Sequence, residues 1–245
     1  MPLKGLAALA NFSKEQEARK AASGDRVPVK YFKFEKGVTV ATVRFLQEFD
    51  EAAENYDERF GLAVTEIEHE APGKEGFKAR ASCTKESEGF CYACERKSAE
   101  YVKDDTVNGN WKTKANTYIK ALVTFDGSNP ELMLISRNYN STFVQALIQD
   151  AIDDNTVTDS NYRITKVGEK TETQWLLKKL RGEPFDVPDE IENDFSIEEN
   201  VLRNIAYDAQ PEWYGKVWRG RGATEAPVVV ESEPETSNVQ DSQGW

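Results

Sequence analysis

The only histidine of this chain and all three of its cysteines fall within 26 residues, as His69, Cys83, Cys91 and Cys94. Any fold the chain adopts has to account for that crowding. Cys91 and Cys94 form a C-x-x-C pair, the commonest half-site for zinc. Two intervening residues let both sulfurs meet one ion from a single turn, with Cys83 and His69 expected from a neighbouring strand and loop. Thiolates and a neutral imidazole suit a small, borderline-soft cation. Four protein ligands leave no position for water, so the expected cofactor is one structural zinc ion whose binding energy becomes folding energy. The competing reading is three reduced, buried thiols beside a hydrogen-bonded histidine. A redox C-x-x-C is disfavoured, because nothing around the pair has the βαβ pattern such motifs occupy.

Charge is distributed unevenly. The chain has 245 residues and a net charge of −12, yet residues 183–245 alone hold 15 acids and 4 bases, which leaves everything before them near neutrality. Residues 1–47 hold 9 bases and 4 acids. A basic head, a neutral body and an acidic end form an arrangement in which a tail can compete with a polyanion for a basic groove. The plainer alternative is an acidic end that aids solubility. With 39% apolar residues, one main domain with appendages is expected. An odd cysteine count, with no apolar leader and no run long enough to span a bilayer, points to a reducing cytoplasm and no membrane partner.

Hydrophobic periodicity predicts a mainly β fold with a few helices. Residues 1–24 read as a basic helical arm carrying Leu3, Leu6, Leu9 and Phe12. Residues 25–182 read as the β body, with strands over 38–46, 62–69, 77–83, 112–125, 132–139, 162–168 and 174–180. Ser141 is expected to cap a helix to about Ile152. Residues 183–222 read as an extension in which Ser196 and Glu199 start a helix through Ala206 that Pro211 stops, before a basic aromatic run. Residues 223–245 contain no base and cannot build a core, so they are expected to be disordered.

Alternation along 112–125 puts Lys112, Lys114, Asn116, Tyr118 and Lys120 on one face and Ala115, Thr117, Ile119, Ala121 and Val123 on the other. No acid occurs between Asp105 and Asp126. With Trp111 just before it, that face is expected to present cations around an aromatic ring. Lys30, Tyr31 and Lys33 form a second such set. This chemistry suits single-stranded nucleic acid, whose unpaired bases stack on aromatics while lysines follow the phosphates. The simpler reading of any one position is a solvated lysine beside a core aromatic.

The order His69, then Cys83 in "ARASCTKESEG", then "CYACERK", preceded by "TVRFLQEF" and followed by "KTKANTYIKALV", resembles the zinc-containing single-stranded DNA-binding proteins of tailed bacteriophages. The resemblance spans about residues 40–180. It implies an OB-fold-like five-stranded barrel with an inserted zinc subdomain at about 62–105, and a basic N-terminal arm used for self-association along DNA. It further implies an acidic tail that recruits replication and recombination proteins. By position, the zinc ligands would be His69, Cys83, Cys91 and Cys94, and the cleft would use the Lys112–Lys120 strand with Arg137 and Tyr139. The implied role is to coat and protect unwound DNA in phage DNA replication, recombination and repair, in the host cell cytoplasm. Trp245 closes the chain in the manner of single-stranded DNA-binding proteins whose terminal aromatic docks into a partner's pocket.

No P-loop, nucleophile elbow or dinucleotide fingerprint is present, and the single histidine is already assigned to a metal, so no enzyme is expected. Two other readings stay open. One is a zinc-stabilised interaction adaptor, such as a helicase loader or recombination mediator. The other is a metal-dependent nuclease built on the chain's many carboxylates.

Overall fold

The structure, a computed structural model, describes residues 27–71, 79–103, 111–125, 127, 129–169, 172–191 and 194–218. The expected basic arm (1–24), the acidic tail (223–245) and Trp245 lie outside these residues. The described elements run β1 (Val40–Phe45), β2 (Val64–Glu70), β3 (Arg80–Ser82), α1 (Lys85–Glu88), α2 (Tyr92–Lys103), β4 (Lys112–Thr124) and β5 (Glu131–Asn138). They continue with α3 (Thr142–Asp154), β6 (Asn161–Val167), β7 (Gln174–Lys179), α4 (Ile197–Asn200), a 3-10 turn at Tyr207–Ala209 and α5 (Gln210–Trp218).

All seven strands join one antiparallel sheet in the order β3-β2-β4-β1-β6-β7, with β5 also on β4. The fold is therefore mainly β, but the sheet is seven-stranded and open among the described residues, where five strands closing into a barrel were expected. Its layout follows from the length of β4. The first half of this strand pairs with β2 (Glu70↔Lys112 to Val64↔Tyr118) and the second half pairs with β1 (Phe45↔Ala121 to Thr42↔Thr124). Strand β5 takes the opposite edge of β4, and Lys30 to Phe32 then pair with Leu134 to cover the outer edge of β5.

On one face of the sheet, Val43, Phe45, Ile119, Ala121, Val123, Met133, Ile135, Tyr162 and Ile164 pack under α3. Helix α3 begins where the sequence indicates, with Ser141 Oγ accepting from the Val144 N–H, and it buries Phe143, Val144 and Leu147 at helical spacing.

The opposite face is covered by a strap formed by residues 185–191 and 194–202. Phe185, Val187 and Ile191 pack toward Leu46, Phe60 and Leu122, while Phe195, Ile197 and Leu202 cover Tyr118 and Leu134. The helix expected to reach Ala206 ends at Asn200. Ser196 Oγ caps it by accepting from the Glu199 N–H, and the N–H groups of Val201 and Leu202 converge on Ile197 O, which closes it after one turn and turns Leu202 into the sheet. Pro211, expected to end a helix, is the second residue of α5, where its missing N–H removes no helical bond. No helix of the described residues is long and apolar enough to cross a membrane.

Candidate metal centre

Three short elements deliver the four candidate ligands. His69 is the sixth residue of β2 and lies opposite Ala81 of β3. Cys83 follows β3 directly, held by its N–H to Ile67 O over 2.7 Å. Between Cys83 and Cys91 the chain makes the single turn of α1, and Gly89, at φ +86°, reverses it. A side chain at that φ would be strained. Cys91 then precedes α2 and Cys94 lies in its first turn, so the C-x-x-C pair meets from one turn as the spacing requires.

The ligand atoms of His69, Cys83, Cys91 and Cys94 all lie within 4.8 Å of one another, close enough to hold a metal ion. Cys83 Sγ is 3.7 Å from Cys94 Sγ, and Cys94 Sγ is 3.2 Å from His69 Nε2. Two sulfurs each about 2.3 Å from a tetrahedral ion stand about 3.8 Å apart, so the thiol spacing fits such an ion. His69 is fully buried, and its Nδ1–H donates to the Trp111 carbonyl over 3.3 Å, which turns the Nε2 lone pair toward the sulfurs. Burial lowers the pKa of the imidazole, which favours the neutral form that a ligand needs.

Burial pushes the Cys94 thiol up to about 12, and it also raises Cys83. Burial opposes ionisation of Cys91 as well, but the N–H groups of Cys94, Thr84 and Ala93 point at its sulfur and, with the Cys83 thiol, bring its pKa below the ordinary value. Three touching sulfurs resist ionising together unless a cation joins them, and the donor set of one neutral nitrogen and three sulfurs suits a soft or borderline ion.

Two residues of this centre were not tied to it by sequence: Gln210 carried no signal, and Tyr214 was read only as part of the basic aromatic run. Gln210, fully buried on α5, places Oε1 3.6 Å from Cys91 Sγ and donates through Nε2 to Thr84 Oγ1 and Ile205 O. Tyr214 packs its ring on Trp111 and Tyr92. Both come from more than a hundred residues along the chain, beyond the reach of local spacing.

The residues expected to form a cationic, aromatic face divide. Tyr118, Lys120 and Trp111 are buried. Tyr118 OH and Asn116 Nδ2 both donate to Glu68 Oε2, at 2.7 and 2.6 Å. Lys120 Nζ pairs with Asp194 of the strap at 2.9 Å and sits between the rings of Phe60 and Phe195. Trp111 belongs to the apolar cluster beside the candidate ligands. Alternation identified the two faces of β4 correctly but gave no sign that the strap would cover this one. Lys112 stays exposed, and Lys114 is half-buried in an ion pair with Glu70. Lys30, paired with Glu131, and Tyr31 and Lys33 are exposed near the outer edge of β5.

Arg137 and Tyr139 lie on the other face. Strand pairing aligns Arg137 with Thr117, Thr117 with Thr65 and Ala115 with Ile67, and the Thr65 and Thr117 hydroxyls meet at 2.9 Å. The Tyr139 N–H reaches Ala115 O. These residues form a strip that runs from the candidate metal centre, which shares its face through His69, to Trp175. Ile67 and Tyr139 are each 38% exposed on it, and Thr65 and Thr113 are exposed as well. Lys97 of α2 donates to Thr113 Oγ1, and the Arg137 guanidinium lies 3.4 Å over the Trp175 ring. Burial lowers the Arg137 pKa, and no described acid pairs with it.

No family model, curated protein or solved structure matches the chain in any of the three comparisons.

Proposed function

We propose that this chain binds single-stranded DNA without strong sequence preference, along the strip between the metal centre and Trp175. The observation that carries the reading is the end of this sheet face that α3 leaves uncovered. It joins exposed Tyr139 and Ile67 to Lys97 and Arg137, and no described acid pairs with Arg137. Tyrosine and isoleucine offer flat or apolar surface to unpaired bases, while the two cations suit the flanking phosphates. A duplex hides its base faces and fits the strip poorly.

In this reading the ion is zinc, held by His69, Cys83, Cys91 and Cys94 in a structural role. It braces the module that forms one wall of the strip. The seven-stranded sheet stands as an elaborated, incompletely closed relative of the OB barrel, with the metal module inserted between β2 and β4. The resemblance to phage helix-destabilising proteins supports the same role, that of coating unwound strands during replication, recombination and repair. The acidic end then serves as the contact for replication proteins. Lys30, Tyr31 and Lys33 extend the basic surface near the outer edge of β5.

The test is a fluorescence titration of the full chain with oligothymidine at several salt concentrations, against a duplex of equal length. Trp175, under Arg137, is the natural reporter. If Lys30, Lys33, Lys97 and Arg137 each meet a phosphate, log affinity falls with log salt at a slope of about −3. Equal affinity for duplex and single strand, or no salt-sensitive binding, refutes the proposal. Cleavage of the labelled strand with magnesium present would favour the nuclease reading instead.

A further inference from the structure

We infer that the metal centre is the latch of the C-terminal segment. With the ion bound, residues 203–214 are held on the metal module; with the ion removed, they come free while the sheet outside β3 stays folded. The inference rests on the metal-site reading given above.

The contacts of this segment converge on the ligands. The Ser82 N–H, one residue before Cys83, donates to Arg203 O over 3.0 Å. The Tyr207 N–H donates to Glu88, and Tyr207 OH donates to Glu95, the neighbour of Cys94, over 2.8 Å. Gln210 reaches both Cys91 and Thr84, and Trp213 Nε1 donates to Arg80 O. The Tyr214 ring lies 5.0 Å from that of Trp111, whose carbonyl in turn accepts from His69. Trp111 holds a left-handed backbone at φ +55°, unusual for a bulky residue, so its carbonyl and ring are committed to His69 and Tyr214 together.

The module carrying these contacts has little core of its own. Its fully buried members are mainly alanines and Cys91, and the large rings among them are Trp111 and Tyr214. Alanines bury little apolar area, so cross-linking through the four ligands is what keeps residues 80–95 in place. The rest of the sheet has a separate core under α3 and does not share this dependence. The strap is fixed independently, by Phe195, Ile197 and Leu202 on the sheet and by Asp194 on Lys120. Release therefore begins after Leu202 and frees the stretch that precedes the acidic end in sequence.

The experiment is hydrogen exchange on the full chain, zinc-loaded and then chelated, with metal content measured in the same samples. Chelation is expected to speed exchange of residues 203–214 and 80–95 by about tenfold or more, with residues 117–124 and 195–202 unchanged. Tyr214→Ala is expected to speed 203–214 alone, with one equivalent of zinc still bound. A chain that takes up no zinc overturns the metal-site reading and the latch with it. A zinc-binding chain whose 203–214 amides stay slow after chelation, or in Tyr214→Ala, overturns the latch alone. So does acceleration that spreads to 117–124, because the ion would then hold the whole fold.

Discussion

Replacing Tyr118 by phenylalanine separates a buried tyrosine from a base-stacking one. Tyr118 is 3% exposed, and its hydroxyl donates to Glu68, a carboxylate that is itself 4% exposed and has Asn116 as its other side-chain donor. Phenylalanine keeps the ring against Leu134, Phe195 and Ile197, so no cavity opens and the whole effect comes from the lost hydrogen bond. A hydrogen bond to a charged group contributes about 1.5–3 kcal/mol. In a domain of this size 1 kcal/mol moves the midpoint by about 2–4 °C, so the loss amounts to about 3–12 °C. Thermal unfolding followed by circular dichroism reads the shift, and an oligothymidine titration of the same sample reads affinity. The expected result is a lower midpoint with unchanged affinity at a temperature where both proteins are folded. A midpoint within about one degree of the parent would show that Glu68 does not depend on this hydroxyl, and the buried placement of the face would be refuted.

Three further outcomes follow from the same geometry. Tyr139→Ala should weaken oligothymidine binding by about 1–3 kcal/mol with little change in melting, and undiminished affinity would remove the strip from the binding surface. Glu48→Gln should cost about 3 kcal/mol in urea unfolding. The buried carboxylate accepts from the N–H groups of Val157 and Thr158 and from the hydroxyls of Thr156 and Thr158, and an amide would turn donors onto donors; a loss under about 0.5 kcal/mol would contradict this. Burial raises the folded pKa of Tyr118 and of Tyr162, with Glu68 and Asp150 the next largest influences respectively. Their contribution to stability is therefore fully present below the unfolded value near 10 and is lost as pH climbs above it toward the folded values. A tyrosinate absorbance titration should show these two ionising only as the chain unfolds, and smooth ionisation of all nine tyrosines in folded protein would contradict that.

The strands were legible because period two needs only local sequence, and the edges of β4 to β7 fall within about two residues of the run of apolar alternation. Helix α3 was legible for the same local reason, through Ser141. Helix α2 was not. Its sequence, YACERKSAEYVK, is polar on average, and among the described side chains it packs through Tyr92, Ala93 and Cys94 at its start. Helix α5 was misread at Pro211, since a proline that stops one helix is equally suited to the first turn of another. Glu48 gave no signal at all, because its donors arrive from residues 156–158.

The sequence by itself picked out the four residues of the candidate metal centre and the two-sidedness of β4. Rare residue types at a diagnostic spacing, and alternation along a strand, are properties of short stretches of chain. Only the tertiary structure decided which stretches of the two faces of β4 remain open. Lys120 meets Asp194 from 74 residues away, and the strap that brings Asp194 also buries Tyr118, while on the opposite face Tyr139 stays exposed and Arg137 half-buried. Alternation states that two faces differ, but only the path of the rest of the chain decides which of them meets water.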